Sequence, residues 1–183
     1  VKSEFCTVQS KGDFWVFAAP VEGVVVDGMP IAGLLKVVDA QQAKQLKMEL
    51  FLAIGQSSDS PCSVVVLRYM GNPDDKEVTA LVGKGVTMDT GGYSLKSGKG
   101  MAAMKSDMGG AASVAAAVCA LARNQAKTNV VAVIPIVENR LSNSACTPGD
   151  VLTAMNGKTV EILSTDAEGR LILADALTYA VRE

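Results

Sequence analysis

Apolar residues fall along this chain in short blocks separated by turn-forming clusters, and the period within each block predicts its element. Residues 40–54 (AQQAKQLKMELFLAI) predict a helix that runs into an apolar segment and stops at Gly55. The β-branched run from Ser63 to Tyr69 (SVVVLRY) predicts a strand, closed by the turn residues Gly71-Asn72-Pro73-Asp74-Asp75. Thr79 to Val82 is a second short strand that opens into a glycine-rich stretch. From Gly109 to Ala122 the residues are small and apolar, which favours a closely packed helix. Asn129 to Val137 (NVVAVIPIV) is near-continuously apolar, as a strand covered on both faces tends to be.

Strand, glycine loop, helix and strand make a βαβ unit. After Pro148-Gly149-Asp150, the segment VLTAMNGKTVEIL reads as two strands joined at Asn156-Gly157, a strong hairpin signal. Leu171 to Val181 closes the chain as an amphipathic helix, with Leu171, Leu173, Ala174, Leu177 and Val181 on or near one face. The expected fold class is α/β, with a mostly parallel central sheet flanked by helices. Residues 1–34 resist assignment. Phe14 to Phe17 and Val24 to Val26 fit strands, the latter followed by a turn at Asp27-Gly28.

Composition narrows the chemistry more than the fold. With 183 residues, 49% hydrophobic and 20% charged, the chain suits one globular domain. Seventeen basic against 19 acidic residues give no electrostatic footprint for nucleic acid or an anionic membrane. No stretch approaches the roughly 18–20 apolar residues needed to span a bilayer, and Val1-Lys2-Ser3-Glu4 lacks a signal-peptide pattern. The four cysteines are far apart without a CxxC pair, which argues for reduced thiols over a zinc-thiolate cluster. Histidine is absent, and that excludes Ser-His-Asp and Cys-His catalysis and the HExxH proteases. Any metal or proton chemistry here must use carboxylates, lysine, arginine, backbone carbonyls or an imported base.

Charged residues interrupt the apolar framework at a few places. Lys84, Asp89 and Lys96 lie in the loop that follows the short strand, Asp107 stands just before the alanine-rich helix, and Asp166 and Glu168 lie in STDAEGR. Ligands in open α/β sheets gather outside the carboxyl ends of strands, where these segments are predicted. Four acidic groups brought together repel one another and raise their pKa values, and divalent cations relieve that repulsion. An oxygen-dominated ligand set suits Mg or Mn, with Zn also compatible. Beside cations Lys84 could lose its proton and serve as a neutral nitrogen ligand. On the residues alone, a solvated acidic surface is the simpler reading. Neither a P-loop (Gly100 stands where the hydroxyl belongs) nor a dinucleotide fingerprint (Met88 stands at the third glycine) is satisfied.

LVGKGVTMDTGGYSLK, then MKSDMGGAA, then TDAEGRL, in that order and spacing, resemble the signature segments of the leucyl aminopeptidase family, also called cytosol aminopeptidases. The similarity runs from about Lys36 to Glu183, including FLAIGQSSDSP, VVVLRYMGN and PGDVLTAMNGKTVEIL, while residues 1–34 do not share it. The resemblance implies two divalent ions, Zn or Mn with Mg as a further option. Lys84, Asp89, Asp107 and Glu168 would hold the tighter ion, and Asp89, Asp166 and Glu168 the more exchangeable one. It implies that Lys96 stabilises the developing oxyanion and that Arg170 anchors bicarbonate as the imported general base. Met101 is a candidate for the substrate pocket. The implied activity is release of N-terminal residues, leucine among them, from peptides by a metal-activated hydroxide in the cytoplasm, in a homo-oligomer, a hexamer by family habit.

Bland readings stand beside these roles. Lys96 reads equally as a solvated loop lysine, Arg170 as an ion-pair partner of Glu168, and Met101 as packing. Thr165 and Gly169 read as shaping their loop. Departures from the family pattern are Ser164 for asparagine, Met88 for phenylalanine, and the loop ENRLSNSACTPGD from Glu138 to Asp150. Family members continue well past the helix after TDAEGRL, so residues 35–183 are expected to be the N-terminal portion of a catalytic domain truncated at its C-terminus. The alternative function is accordingly a catalytically idle homologue that binds metal or acts in an assembly.

Overall fold

The computed structural model describes residues 35–183 in full, preceded by the backbone of two short antiparallel strand pairs. These are β1 (Val8–Ser10) with β2 (Trp15–Phe17), and β3 (Val25–Val26) with β4 (Met29–Pro30). Two of the expected early strands are among them; the expected turn at Asp27-Gly28 lies outside the described residues.

One strand organises the rest. β9 (Asn129–Asn139) is buried along nearly its whole length because it has a partner on each edge and helices on each face. On one edge it pairs antiparallel with β6 (Ser63–Met70), which pairs antiparallel with β5 (Leu35–Asp39). On the other edge it pairs in parallel with β7 (Thr79–Val82) and then β8 (Gly85–Asp89). The five-stranded sheet is therefore mixed, where a mostly parallel one was expected. The reason is visible in the pattern: β6 is as rich in valine as a parallel strand because it too is covered on both faces, and burial is blind to direction. The βαβ expectation holds for β7 and β8, α4 (Gly109–Arg123) and β9.

Val131, Val133 and Val137 of β9 join one core with helices α2 (Glu49–Gly55) and α5 (Glu168–Arg182), built around Phe51, Leu50, Ile54 and Ile172. Val130 and Ala132, on the alternate face, pack with Val114, Val118 and Leu121 of α4. The hairpin expected at Asn156-Gly157 is present, with β10 (Val151–Thr153) paired to β11 (Thr159–Glu161) and Gly157 at φ +84°.

The helix expected over residues 40–54 is two helices. α1 (Ala40–Gln45) is capped by Asp39 in a reciprocal arrangement with Gln42, and the chain then turns at Lys47 (φ +60°) before α2. Leu46, Met48 and Leu50 explain the break. Residues two apart point to opposite sides of a continuous helix, yet Met48 and Leu50 are both fully buried. The left-handed turn at exposed Lys47 costs about 1–3 kcal/mol, and glycine would remove most of that at its own entropic cost of about 0.5–1 kcal/mol. Lys47→Gly is therefore expected to raise stability by up to about 1 kcal/mol, read as a higher urea midpoint at unchanged slope.

α5 starts three residues earlier than expected; of the expected face Leu171 is buried and Leu173 and Ala174 pack against the core, but the buried stripe does not continue to Leu177 and Val181. Glu168, Ile172, Asp175, Ala176 and Tyr179 point inward, whereas Leu177 is 54% and Val181 87% exposed. Two carboxylates on the buried stripe hid its period from a reading based on apolar residues.

Candidate metal centre

β7 and β8 run along the same edge of β9 in one register, Val82 opposite Val133 and Gly85 opposite Ile136. Between them Gly83 and Lys84 meet the start of α4: the Ala111 N–H donates to the Lys84 carbonyl at 2.9 Å. A Cβ at Gly83 would sit 2.7 Å from the Gly110 carbonyl oxygen, so only glycine permits this approach. α4 thereby brings Asp107, just ahead of it, up to the Lys84 side chain. Further along β8 the register shifts between Val86 and Met88, a bulge at Thr87, whose hydroxyl donates to the Val137 carbonyl. Beyond it lies Asp89, opposite Asn139.

Asp166 and Glu168 arrive from the other side, on a 3-10 turn (Thr165–Ala167) running into α5. Thr165 clasps this turn to the loop after β8: its hydroxyl donates to the Gly91 carbonyl at 2.6 Å and accepts from the Ser94 N–H, while the Ser94 hydroxyl accepts from the Thr165 N–H. Gly91 and Gly92 adopt φ of +87° and +61° to pass beneath it. Thr165 thus shapes the loop, as expected.

The five expected ligands and Lys96 come together. Lys84 Nζ lies 2.7 Å from Asp107 Oδ2 and 2.7 Å from Glu168 Oε1. Lys96 Nζ lies 2.9 Å from Asp89 Oδ2 and 2.5 Å from Asp166 Oδ1. Burial works against the Lys84 ammonium, but its hydrogen bonds to Asp107 and Glu168, with their charges, outweigh it and raise its pKa. The same balance, through Asp166 and Asp89, raises that of Lys96. Both lysines act as counter-charges in this arrangement, and Lys96 is bound within the cluster, not solvated in its loop. Glu168 is 1% exposed; burial raises its pKa, the Lys84 hydrogen bond lowers it in part, and the Asp89 charge raises it further.

Oxygens of Asp89, Asp107 and Glu168 lie within 4.8 Å of one another. Four carboxylates face two ammonium groups, leaving an excess negative charge at a site where Asp89 and Glu168 are buried and the other groups are partly open to solvent, and the donors are oxygen with one amine. That donor set fits hard or borderline divalent cations. Arg170 is exposed, and among the described residues the ion pair of Glu168 goes to Lys84 instead. Met101 ends the short helix α3 (Gly98–Met101), half-buried. Among the described residues, no side-chain hydrogen bond or ion pair ties Arg170 or Met101 to the cluster.

Two residues escaped the sequence reading. Asn139 donates from its carboxamide to Asp89 Oδ1 at 2.8 Å and to the Thr165 carbonyl at 3.0 Å. Asp175 accepts from the N–H groups of Phe51 at 3.0 Å and Met155 at 2.8 Å. The available signal was an isolated polar residue at the end of, or within, an apolar run.

Comparison with known proteins agrees with this fold. The model of the cytosol aminopeptidase family, catalytic domain, matches residues 28–183, reaching into the stretch that looked dissimilar. A "Probable cytosol aminopeptidase" of Clostridium perfringens is 52% identical over 150 residues, covering 81% of this chain and 30% of that protein. One of Ralstonia nicotianae is 53% identical over 148 residues, with 81% and 29% covered. The structure of Caenorhabditis elegans leucine aminopeptidase matches with a TM-score of 0.76 at 42% identity, over 80% of this chain and 30% of that one. The chain spans about 30% of the length of these relatives. With its five-stranded sheet, its glycine contacts and its lysine–carboxylate cluster falling within the matched residues, the chain belongs to the cytosol aminopeptidase family.

Proposed function

We propose that this chain carries the metal centre of an aminopeptidase that holds two divalent ions, Zn or Mn, and releases N-terminal residues of the leucine type from peptides. The observation that supports this most is the convergence of Asp89, Asp107 and Glu168 oxygens within 4.8 Å around Lys84. Lys84, Asp89, Asp107 and Glu168 would hold one ion; Asp89, Asp166 and Glu168 would hold the other. When bound, divalent ions supply Lewis acidity for hydrolysis of the peptide carbonyl.

The chain's own residues supply the rest. Lys96, fixed between Asp89 and Asp166, is a cation positioned beside the centre for charge that develops on the carbonyl oxygen. Arg170, exposed near the start of α5, would hold an anion such as bicarbonate as the proton acceptor, which a chain without histidine needs to import. The bulge at Thr87 and the Thr165 clasp hold the two carboxylate-bearing loops together, so that little reorganisation accompanies the reaction. Met101 is proposed to line the substrate pocket.

The test is hydrolysis of a leucyl chromogenic substrate by the purified chain in Mn2+, beside Asp166→Ala. Metal-dependent release is expected, abolished by chelator, restored by Mn2+ or Zn2+, and lowered by more than about 100-fold in Asp166→Ala, beyond the range typical of outer-shell groups. Activity that survives either treatment overturns the assignment. Mn2+ binding without hydrolysis would favour the second reading, a family member that binds metal without turnover.

A further inference from the structure

β9 begins and ends on a buried asparagine, and the two do different work. Asn129, 2% exposed, donates from its carboxamide to the backbone carbonyls of Asn72, Asp75 and Glu77, and accepts from the Asn72 N–H. It closes a turn. Asn139, also 2% exposed, turns the same group toward the carboxylates. Its two N–H bonds are taken by Asp89 Oδ1 at 2.8 Å and the Thr165 carbonyl at 3.0 Å, with Glu168 Oε2 at the limit of contact, 3.5 Å. The backbone carbonyl of Asn139 also accepts from the N–H and hydroxyl of Thr90, both at 2.9 Å. One residue thus grips the loop after β8 and the turn before α5.

We propose that Asn139 is a positioning residue of the metal centre, fixing which oxygen of Asp89 faces the cations and setting the distance between Asp89 and Glu168. Asp89 Oδ1 accepts from both Asn139 Nδ2 and the Gly91 N–H, at 2.8 Å each, which fills its lone pairs. Oδ2 is the oxygen left to meet a cation, and it is the one on which Lys96 sits. Glu168 repeats the pattern through Thr165: its Oε1 meets Lys84, while its Oε2 lies on the Asn139 side. A neutral amide suits this place, because it donates to two carboxylate-bearing loops and adds no charge that would compete with a metal. Groups that hold ligands in this way typically contribute 10–100-fold in metal affinity. The proposal rests on the metal-centre reading above.

The test compares Asn139→Leu, which keeps the size and removes the donors, with Asn129→Leu at the other end of the strand. Mn2+ affinity is measured by calorimetry on the purified chains, and unfolding midpoints are taken in chelator and in saturating Mn2+. Asn139→Leu is expected to bind Mn2+ about 10–100-fold more weakly and to lose part of the metal-induced rise in midpoint. Asn129→Leu is expected to unfold more easily in both conditions with unchanged affinity. Equal Mn2+ affinity in wild type and Asn139→Leu, within twofold, overturns the proposal and leaves the metal-centre reading standing. A wild-type chain that binds neither Mn2+ nor Zn2+ overturns both. If Asn139→Leu does not fold, Asn139→Ser is read in its place; failure of both to fold marks Asn139 as structural and also overturns the proposal.

Discussion

Asp175→Ala is expected to lower the unfolding free energy of this chain by about 3–5 kcal/mol, which unfolding in urea would show as a large drop in midpoint. Asp175 is fully buried on the inner face of α5, and its oxygens accept from the N–H groups of Phe51 and Met155. Phe51 stands in the first turn of α2, whose own cap residue, Met48, offers no side-chain acceptor. A carboxylate from another helix therefore caps α2 and ties the β10–β11 hairpin to it. Removing it strands buried donors at about 1–3 kcal/mol each. That is much of the roughly 5–15 kcal/mol a domain has in total. Asp175→Asn is expected to cost less, since one oxygen remains as an acceptor while the new NH2 faces an N–H.

The pH dependence of this pair has a definite sign. Burial lifts the Asp175 carboxyl above the ordinary carboxylate value, against the pull of its backbone hydrogen bonds. A group raised in the folded state contributes its stability fully below its unfolded pKa and loses it as pH rises through the folded one. The gap between wild type and Asp175→Asn should narrow as pH rises across the carboxylate range. A gap that widens would contradict the assignment.

Glu168→Gln is expected to do the opposite: to leave the fold nearly as stable and to weaken Mn2+ binding by more than about 100-fold, since a ligand should matter more than its outer-shell support. Glu168 lies seven residues before Asp175 on the same buried stripe, yet its partners are the Lys84 ammonium and the asparagine side of the cluster. Burial already opposes its ionisation, so a neutral isostere gives back desolvation cost while leaving Lys84 its bond to Asp107. Calorimetric titration with Mn2+ and a parallel urea curve separate the two effects. Unchanged affinity would remove Glu168 from the ligand set. Two carboxylates on one buried stripe thus divide stability and chemistry between them.

Much of this arrangement was legible in the residues, and the omissions have physical causes. The β-branched runs of β6 and β9, the alanine-rich α4 and the Asn-Gly hairpin declared themselves through period and turn chemistry. β8 did not, because Gly85 and Asp89 at its two ends are poor strand formers and it pairs because β9 lies alongside. Direction in the sheet was hidden, since β6 buries both faces whichever way it runs. Leu177 and Val181 were misplaced because apolar periodicity cannot see a buried stripe that carries Glu168 and Asp175. The lysine–carboxylate cluster was legible through its motif blocks, whereas Asn139 and Asp175 lie outside those blocks and act through contacts across the fold.

The bulge at Thr87 bears on how such motifs should be compared. Before it, β8 and β9 advance one residue for one; across it, β8 spends an additional residue, so Val86 faces Val137 while Met88 faces Glu138. Side chains alternate faces along a strand, so if β8 kept pairing one for one without the bulge, Met88 would stand opposite Asn139 and the Asp89 carboxylate would swing to the other side with every named residue still present. Identity at the charged positions is therefore an incomplete signature. The bulge between Val86 and Met88 is itself part of the signature, and a chain that kept all the letters but paired straight through there would spell the same word and aim it the wrong way.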